Sequence, residues 1–581
     1  MKLTFVRRLA FLLLILALLG SSRAFAQAPL EPAQLPARTT FYLIWRGTPS
    51  ADARKANSLL GLWDDADLAP LRAAMFQNMQ GNSAKDSSAP PLTREEVEQY
   101  SSLLENSFVL GYLRKPEAKA SAHPESPERP WSGIFFAYDR TGKELLLAKA
   151  VLRLRSQEKE PPKISTVTIA GSPVVKIERK NEVTYWGEHG KYAVSAGDPG
   201  VFEEIAARLD RKSSAASLAQ TAAYQEAGPL VGSGVLEFFV RIPHLRDFAP
   251  PAANSPVKVA PILDALKLDA IHSLCGHLTL EGPKARVQAA MLGEVAPGTL
   301  FDFWSGGQQS PASLPLVSND AISYSEGQVN LPALYEIVKR AVRVAMPQMQ
   351  QGGTDMMESM AAGRIGMPLS DALNLPSGEF ASIQTSATLD PQKAIYYLGI
   401  RKKPETLRLI RSIFGDQLSS ERNEGDTTFL KVSLSGGQGS TGVAQWNFFH
   451  LAVRPSFILG TSRNETLREF LAKSPVLDAP AHLDLPPAFQ AARAQFPESL
   501  NSISFLNFQK IDWPGLKTRW IDQAQKISEK KTPSTASKTT SDQAPDWLIN
   551  LNPGVFPRHL HFIAGASWKD SKGLHIDEWL E

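Results

Sequence analysis

Short apolar runs that alternate with polar residues predict that β-strands make up much of this chain. In the first 200 residues we expect strands at 41–45, 107–113, 134–138, 164–169, 173–177, 183–186 and 192–195. The runs from 134 to 186, separated by turn residues, are typical of an antiparallel meander. A helix should follow, because Ile205, Ala206 and Leu209 lie three, four and seven residues after Phe202.

The same order of elements returns in the second half of the chain. We expect strands at 379–385 and 394–400, then a helix with Leu407, Ile410 and Phe414 on one face, then a hairpin of 427–432 with 443–453. The next strand, 457–461, aligns without a gap with 192–196. Farther along, 272–280 aligns without a gap with 561–569, which places Gly276 on Gly565.

A strand that runs into a helix opened by proline also recurs, at 321–334, at 502–516 and more loosely at 235–245. These echoes predict a duplicated chain with four units: A at 38–228, B at 234–303, A′ at 318–498 and B′ at 501–581. Linkers are expected at 250–256 and 305–315, and a disordered tract at 530–544. Strands, hairpins and helices without strict alternation favour the α+β class, as two tandem duplicated halves, each with an antiparallel sheet and flanking helices.

The first 26 residues predict a secretory signal peptide, cleaved after Ala26. A basic start (Lys2, Arg7, Arg8) precedes the apolar run 9–19, and Ala24-Phe25-Ala26 supplies the cleavage pattern. That run is about half of the roughly 20 residues that span a bilayer, so we expect no transmembrane segment in the mature chain. With Cys275 as the single cysteine, no internal disulfide can form, which fits a periplasmic or secreted bacterial protein stabilised by its cores.

Charge narrows the range of partners. The predicted signal peptide holds four of the 62 basic residues and none of the 59 acidic ones, so 58 basic residues face 59 acidic ones in the remainder. This balance argues against nucleic acid or an anionic membrane surface, since both need a basic footprint.

Two stretches resemble a group of known proteins: Phe41–Trp45 near the predicted mature N-terminus, and Gly366–Ala381 ahead of a strand. They are similar to uncharacterised exported bacterial proteins that carry a duplicated α+β domain of unknown function. The resemblance covers most of the predicted mature chain and implies the same fold class. It transfers no catalytic residues, because none are assigned in such proteins.

Three groups of residues raise the possibility of a metal site, and each has a simpler explanation. On a strand, His272 faces away from Cys275 and His277, whose aligned counterparts are Ala564 and Ala566, so a small buried slot is favoured over a zinc or copper site. His559 and His561 should share one strand face, with His575 as a third candidate ligand, or be ordinary hydrogen-bonded histidines. The third group could bind copper(I), or it could serve core packing or a soft binding surface. It consists of Met346, Met349, Met356, Met357, Met360 and Met367.

Catalytic signatures are weak. Gly437–Gly442 matches G-x-G-x-x-G, but a strand pattern follows where a dinucleotide site needs a helix, so a hairpin loop is favoured. Ser528–Lys531 matches S-x-x-K beside the tract expected to be disordered. Six carboxylates could include a pair for glycoside hydrolysis, although acids near helix starts more often complement the helix dipole: Asp64, Asp65, Asp67, Glu95, Glu96 and Glu98.

These observations assign no catalytic, cofactor or metal residues. We expect an exported soluble protein that acts as a non-catalytic binding or assembly module, with a protein, peptide or carbohydrate partner. The alternative is a periplasmic hydrolase with its site in the cleft between the two halves. An enzyme should show a pocket with converging polar groups of shifted pKa, whereas a binding module should show exposed apolar side chains.

Overall fold

A single large antiparallel sheet organises this computed structural model, which describes residues 28–72, 74–75, 99, 102–114, 132–149, 162–178, 183–232, 234–244, 259–304, 311–345, 353–433, 448–473, 485–531 and 544–581. With helices packed against the sheet, the chain is an α+β protein, as predicted. The strands are β1 Thr39–Trp45, β2 Phe108–Leu113, β3 Ile134–Asp139, β4 Lys163–Ile169, β5 Ser172–Glu178, β6 Val183–His189, β7 Tyr192–Ala196, β8 Leu236–Arg241, β9 Ile271–Glu281, β10 Lys284–Gly293, β11 Ser323–Gln328, β12 Pro376–Gln384, β13 Ile395–Ile400, β14 Leu418–Glu424, β15 Thr427–Ser433, β16 Phe448–Val453, β17 Phe457–Thr461, β18 Ser502–Asn507, β19 Phe562–Lys569 and β20 Gly573–Leu580.

The strand order divides the sheet into two sets of ten. From the β10–β20 pair outward, the first set runs β10, β9, β8, β1, β2, β3, β7, β6, β5, β4. The second set runs β20, β19, β18, β11, β12, β13, β17, β16, β15, β14. Each strand therefore occupies the same place as the strand numbered ten higher. In the described residues β10–β20 is the one strand pair that joins the two sets.

Helices lie on both faces of the sheet. The described helices are α1 Ala51–Ala56, α2 Ser58–Asp64, α3 Pro199–Leu209, α4 Ala222–Ala227, α5 Val259–Ala265, α6 Leu331–Ala345, α7 Gly353–Ile365, α8 Leu369–Asn374, α9 Lys403–Phe414, α10 Asn464–Lys473, α11 Pro487–Arg493, α12 Trp513–Lys531, α13 Asp546–Ile549 and α14 Val555–His559. The proline-opened helices predicted after 321 and 502 are confirmed as α6 and α12. Helix α12 continues to Lys531, so the first two residues of the tract expected to be disordered are helical.

One face of the sheet, the core face, carries the two largest apolar clusters. In the first set, Phe202 and Ile205 of α3 pack on the sheet with exposures of 1% and 0%. In the second set, Leu467 of α10 and Phe489 of α11 pack in the same way. The helix stripe predicted from Phe202 onward is confirmed, and each set of strands has a core of its own.

The other face is covered unevenly. Over the first set it carries an apolar cluster that includes Leu43, Trp45 and Phe108 and is packed by Leu103, Leu104 and Leu147. Over the outer strands of the second set, Leu407 and Ile410 of α9 cover a further cluster. Between these two covered regions lies an open area of the sheet.

Three local expectations were wrong. The meander predicted over 134–186 begins at β4, because β3 pairs with β2 and β7 and not with β4. Strand β14 was not predicted, because Leu418–Glu424 contains no apolar alternation; it lies at the edge of the sheet, where a strand can be exposed on both sides. His559 ends helix α14, whereas we expected it on the strand that begins only at Phe562. The apolar pattern of β19 had been extended too far towards the N-terminus.

Candidate functional site

Six serines form the floor of the open area, and we call them the serine face. They share one side of the sheet because their positions are register partners or two apart on one strand. The side chains of Ser325 and Ser504 are exposed and the others are half-buried. The serine face consists of Ser323, Ser325, Ser382, Ser502, Ser504 and Ser567.

Exposed apolar side chains border the serine face on both sides. Phe380 of β12 and its register partner Leu398 of β13 are 46% and 36% exposed. On the side of the β10–β20 pair, which joins the two sets of strands, Val287 of β10 and Ile576 of β20 are 43% and 44% exposed. Large apolar side chains at the centre of a sheet are normally covered, so this exposure makes the face a candidate contact surface.

Close packing keeps the floor shallow. A Cβ atom at Gly327 would lie 2.7 Å from Cζ of Phe380, so the Phe380 ring lies across the backbone of β11. A Cβ atom at Gly565 would lie 3.0 Å from Oγ of Ser504. The hydroxyls of Ser502 and Ser567 are 2.6 Å apart and form a hydrogen bond. The result is a shallow surface in which hydroxyl groups and the exposed carboxylate of Glu578, which packs beside Gly565, lie between apolar margins.

The same places in the first set of strands are apolar. With Gly276 taken as the counterpart of Gly565, the sheet registers give the counterparts of the serine face. In the order used above, these counterparts are Phe41, Leu43, Leu110, Leu236, Phe238 and Leu278. All but Phe41 belong to the covered cluster of the first set, where Leu43 is buried and the others are half-buried. The second set thus carries small hydroxyls where the first carries large apolar side chains, and its surface stays open.

The junction between the two sets holds a histidine–aspartate pair, which bears on the hydrolase alternative. His559 Nε2 lies 2.9 Å from Asp65 Oδ2, and this contact lowers the pKa of the Asp65 carboxyl. The other ring nitrogen, Nδ1, would lie 3.1 Å from a Cβ atom built on Gly61, so it faces the backbone of α2. That leaves little space beside Nδ1 for a hydroxyl nucleophile or a substrate.

The other acidic candidates near this junction form ion pairs and hydrogen bonds with neighbouring side chains. Asp64 accepts hydrogen bonds from Arg54, and Asp67 pairs with Arg558 and accepts from Asn552 Nδ2 at 2.7 Å. Asp65 and Asp67 belong to the first half, and Asn552, Arg558 and His559 to the second. The cluster therefore ties α2 and the residues after it to α14. Glu95, Glu96 and Glu98 lie outside the described residues.

Another group with a shifted pKa lies in the core. Glu326 is 2% exposed, and burial, followed by the nearby charge of Glu379, raises the pKa of its carboxyl to about 8. Glu379 accepts hydrogen bonds from the amides of Ala312 and Ser313. Both carboxyls are closed off from solvent, so this pair does not form an accessible acid–base site.

The histidine and cysteine candidates are not brought together. Cys275 is fully buried, and burial raises the pKa of its thiol to about 12, as expected for a small buried slot. His277 Nδ1 bonds the carbonyl of Leu230 at 3.0 Å, and the exposed His272 contacts Glu226. His575 contacts Asp570 at 3.1 Å. His561 directly precedes β19, while His559 belongs to α14.

The exposure of the methionine side chains distinguishes core packing from a soft binding surface, the two alternatives to copper binding. Met356, Met357 and Met360 of α7 are 66%, 55% and 65% exposed, so core packing is wrong for these three and a soft binding surface is favoured.

Met346 and Met349 lie outside the described residues, as do Gly437–Gly442 and the predicted signal peptide. Of Ser528–Lys531, only the helical backbone is described.

Two further features are absent from the described residues. No group of three or more His, Cys, Asp or Glu side chains in them could hold a metal ion. None of the described helices combines the length and apolarity needed to cross a bilayer.

Sequence reasoning missed the serine face. The Ser-x-Ser pattern is visible at 323–325 and 502–504, but only the register places these two strands side by side. The chain matches no protein-family model, no curated protein and no solved structure.

Proposed function

We propose that this chain is an exported, non-catalytic binding protein built by tandem duplication, and that the serine face with its apolar margins binds a partner protein. The observation that carries the proposal is the exposure of Phe380, Leu398, Val287 and Ile576 around a floor of serine hydroxyls that holds one carboxylate, Glu578. Protein interfaces are depleted in charge at their centre and enriched in aromatic side chains.

Agreement between sequence and register supports the duplication. The alignment of Gly276 with Gly565 can be followed strand by strand through the registers, as far as β7 and β17. It arrives at Tyr192 opposite Phe457. The ungapped sequence alignment of 457–461 with 192–196, which was made independently of Gly276 and Gly565, gives the same pairing.

The asymmetry between the halves supports a binding role. After duplication, a face that only needed covering would keep its large apolar residues and its cover. A face that was only solvated would gain Lys, Glu and other charged residues. The second half carries one such charge, Glu578, and otherwise has serines with exposed Phe380 and Leu398 on this face. Small side chains let the backbone of a partner approach closely.

Site-specific photo-crosslinking in cells of the native host tests this function. A photoreactive phenylalanine analogue replaces Phe380 in one variant and Ile576 in another. We expect both positions to give an adduct with the same protein, identified by mass spectrometry. The matched control is Ile164, which is 51% exposed on β4 at the far edge of the sheet and should give no such adduct.

A second variant tests the floor itself. Ser325→Lys combined with Ser504→Lys places two charges among the serines, and exposed positions tolerate lysine with little loss of stability. The adduct at position 380 should disappear while the melting temperature stays within a few degrees of the parent. An adduct that survives both lysines, or no adduct at either 380 or 576, would refute the proposal.

A further inference from the structure

A basic pocket lies near the opposite end of the second set of strands, on the core face. It has a volume of about 470 Å³ and lies between helix α10 and the edge strands β14, β15 and β16. Four cationic side chains line it and one acidic side chain, Glu465, accompanies them. The cationic residues are Arg422, Lys431, Arg463 and Arg468.

Neighbouring acids neutralise these cations only in part. Arg422 and Arg468 both contact the same oxygen of Glu424, at 3.1 Å. Arg463 donates to Gln392 Oε1 at 2.8 Å and lies 4.0 Å from Asp390. Lys431 Nζ lies 4.0 Å from the ring centroid of Phe448, and no described carboxylate is within ion-pair distance of it. The pocket therefore keeps a net positive charge.

Several uncharged donors line the same space. Helix α10 begins at Asn464 on the pocket wall, where the first amides of a helix have no carbonyl partner within it. Ser420 also lines the pocket, as does Ser462, whose hydroxyl donates to the carbonyl of Gln392 at 2.9 Å. His450 faces Lys431 across the strand pair, and burial, together with the Lys431 charge, lowers the pKa of its ring. His450 is thus neutral at pH 7 and adds no positive charge.

The equivalent place in the first half lacks these charges. Through the registers, Arg422 corresponds to Val167, Arg463 to Asp198 and Arg468 to Glu203. Lys431 corresponds to Lys176, but Lys176 forms an ion pair with Glu178, whose counterpart is Ser433. The first half therefore folds without a basic cluster at this position. The fold alone does not explain why the second half has three arginines here and a lysine that forms no ion pair with a described carboxylate.

We propose that the pocket formed by Arg422, Lys431, Arg463, Arg468 and the start of α10 binds the phosphoryl group of an anionic ligand. Arginine forks and a helix N-terminus together supply more donors than a carboxylate can accept. A phosphoryl group offers three oxygens and close to two negative charges. This site is separate from the serine face, and the inference does not depend on the proposed protein partner.

Titration calorimetry with inorganic pyrophosphate tests the site on the full chain at low ionic strength, with acetate as the comparison anion. We expect saturable pyrophosphate binding that weakens as salt is added, and little binding of acetate. Arg468→Ala and Lys431→Ala should each weaken binding by about tenfold, since each removes a charge-assisted contact. The matched control is Lys176→Ala, at the equivalent place in the first half, which should leave binding unchanged.

The remaining measurements separate the possible outcomes. Sedimentation with vesicles of phosphatidylglycerol, compared with vesicles of phosphatidylcholine, distinguishes a lipid headgroup from a soluble phosphorylated ligand. Either kind of binding supports the site if Arg468→Ala abolishes that binding. Melting temperatures show whether each variant is folded, and Arg468→Lys covers the case in which alanine destabilises α10. Equal binding of acetate and pyrophosphate, or equal loss in Lys176→Ala, would overturn the inference. A failure here would leave the crosslinking result at Phe380 untouched.

Discussion

Asp577 is a buried carboxylate at the joint between the two halves. It is 3% exposed, accepts two hydrogen bonds from Arg286 at 2.8 and 2.6 Å, and accepts one from Gln288, its register partner. Replacing it with Asn leaves Arg286 without its counter-charge. We expect Asp577→Asn to lower the free energy of unfolding by about 3 kcal/mol, measured by urea denaturation. Glu578→Gln, an exposed neighbour on the other face, should cause no loss.

Glu326 makes stability depend on pH in a predictable direction. Its carboxyl keeps a proton up to about pH 8 in the folded protein but releases it near 4.5 when unfolded. The folded state then binds more protons in this interval, so stability falls as the pH rises from about 4.5 through 8. Glu326→Gln should therefore raise the melting temperature at pH 8.5 and change it little at pH 5.

A control separates this effect from general repacking. Glu379→Gln replaces one of the two oxygens that accept from the Ala312 and Ser313 amides with an NH2 group, and so should destabilise the protein at pH 5. Because it also removes the charge that helps to raise the Glu326 pKa, the loss should be smaller at pH 8.5. A Glu326→Gln variant whose melting curve stays parallel to that of the parent between pH 5 and 8.5 would contradict the assigned pKa shift.

At the scale of elements, sequence patterns predicted what local periodicity controls. The meander of β4 to β7 and the stripe on α3 follow from alternation and from helical spacing, and both are present. Strand β14 gave no such signal because an exposed edge needs no apolar face. The serine face and the basic pocket depend on register, which brings together residues far apart in sequence, such as Ser325 with Ser504. No local pattern specifies that pairing.

Helix α3 offers a test of a local signal with a known cost. Asp198 caps its start by accepting a hydrogen bond from the amide of Gly200 at 2.8 Å, and Pro199 opens the first turn. We expect Asp198→Ala to lower the free energy of unfolding by about 1 kcal/mol, and Asp198→Ser to restore most of it. Chemical denaturation of the two variants measures the difference. An alanine variant as stable as the parent would mean that the cap adds nothing beyond the packing of Phe202.

At the scale of the whole molecule, two cores share one sheet. The main cluster of the first half contains residues from 28 to 292, and that of the second half contains residues from 314 to 579. The halves are linked by the β10–β20 pair, by the contact of α5 with α6 and by the cluster of α2 with α14. Two apolar clusters also contain residues of both halves, one around Leu62 and Val555 and one around Phe301 and Leu574. Each half therefore has the means to stay folded if this joint is weakened.

Weakening the joint should split the unfolding of the protein into two steps. We expect one calorimetric transition for the parent, because the continuous sheet couples the halves. The triple variant Asp65→Asn, Asp67→Asn, Asp577→Asn removes the charged contacts at two places along the joint, and it should show two transitions. Asp139→Asn, which disrupts the bonds of a buried carboxylate to Lys191 and Thr141 inside the first half, should lower stability yet keep one transition. If the triple variant still unfolded in one step, contacts other than these would have to hold the two halves together, and the joint would extend well beyond Asp577 and the α2–α14 cluster.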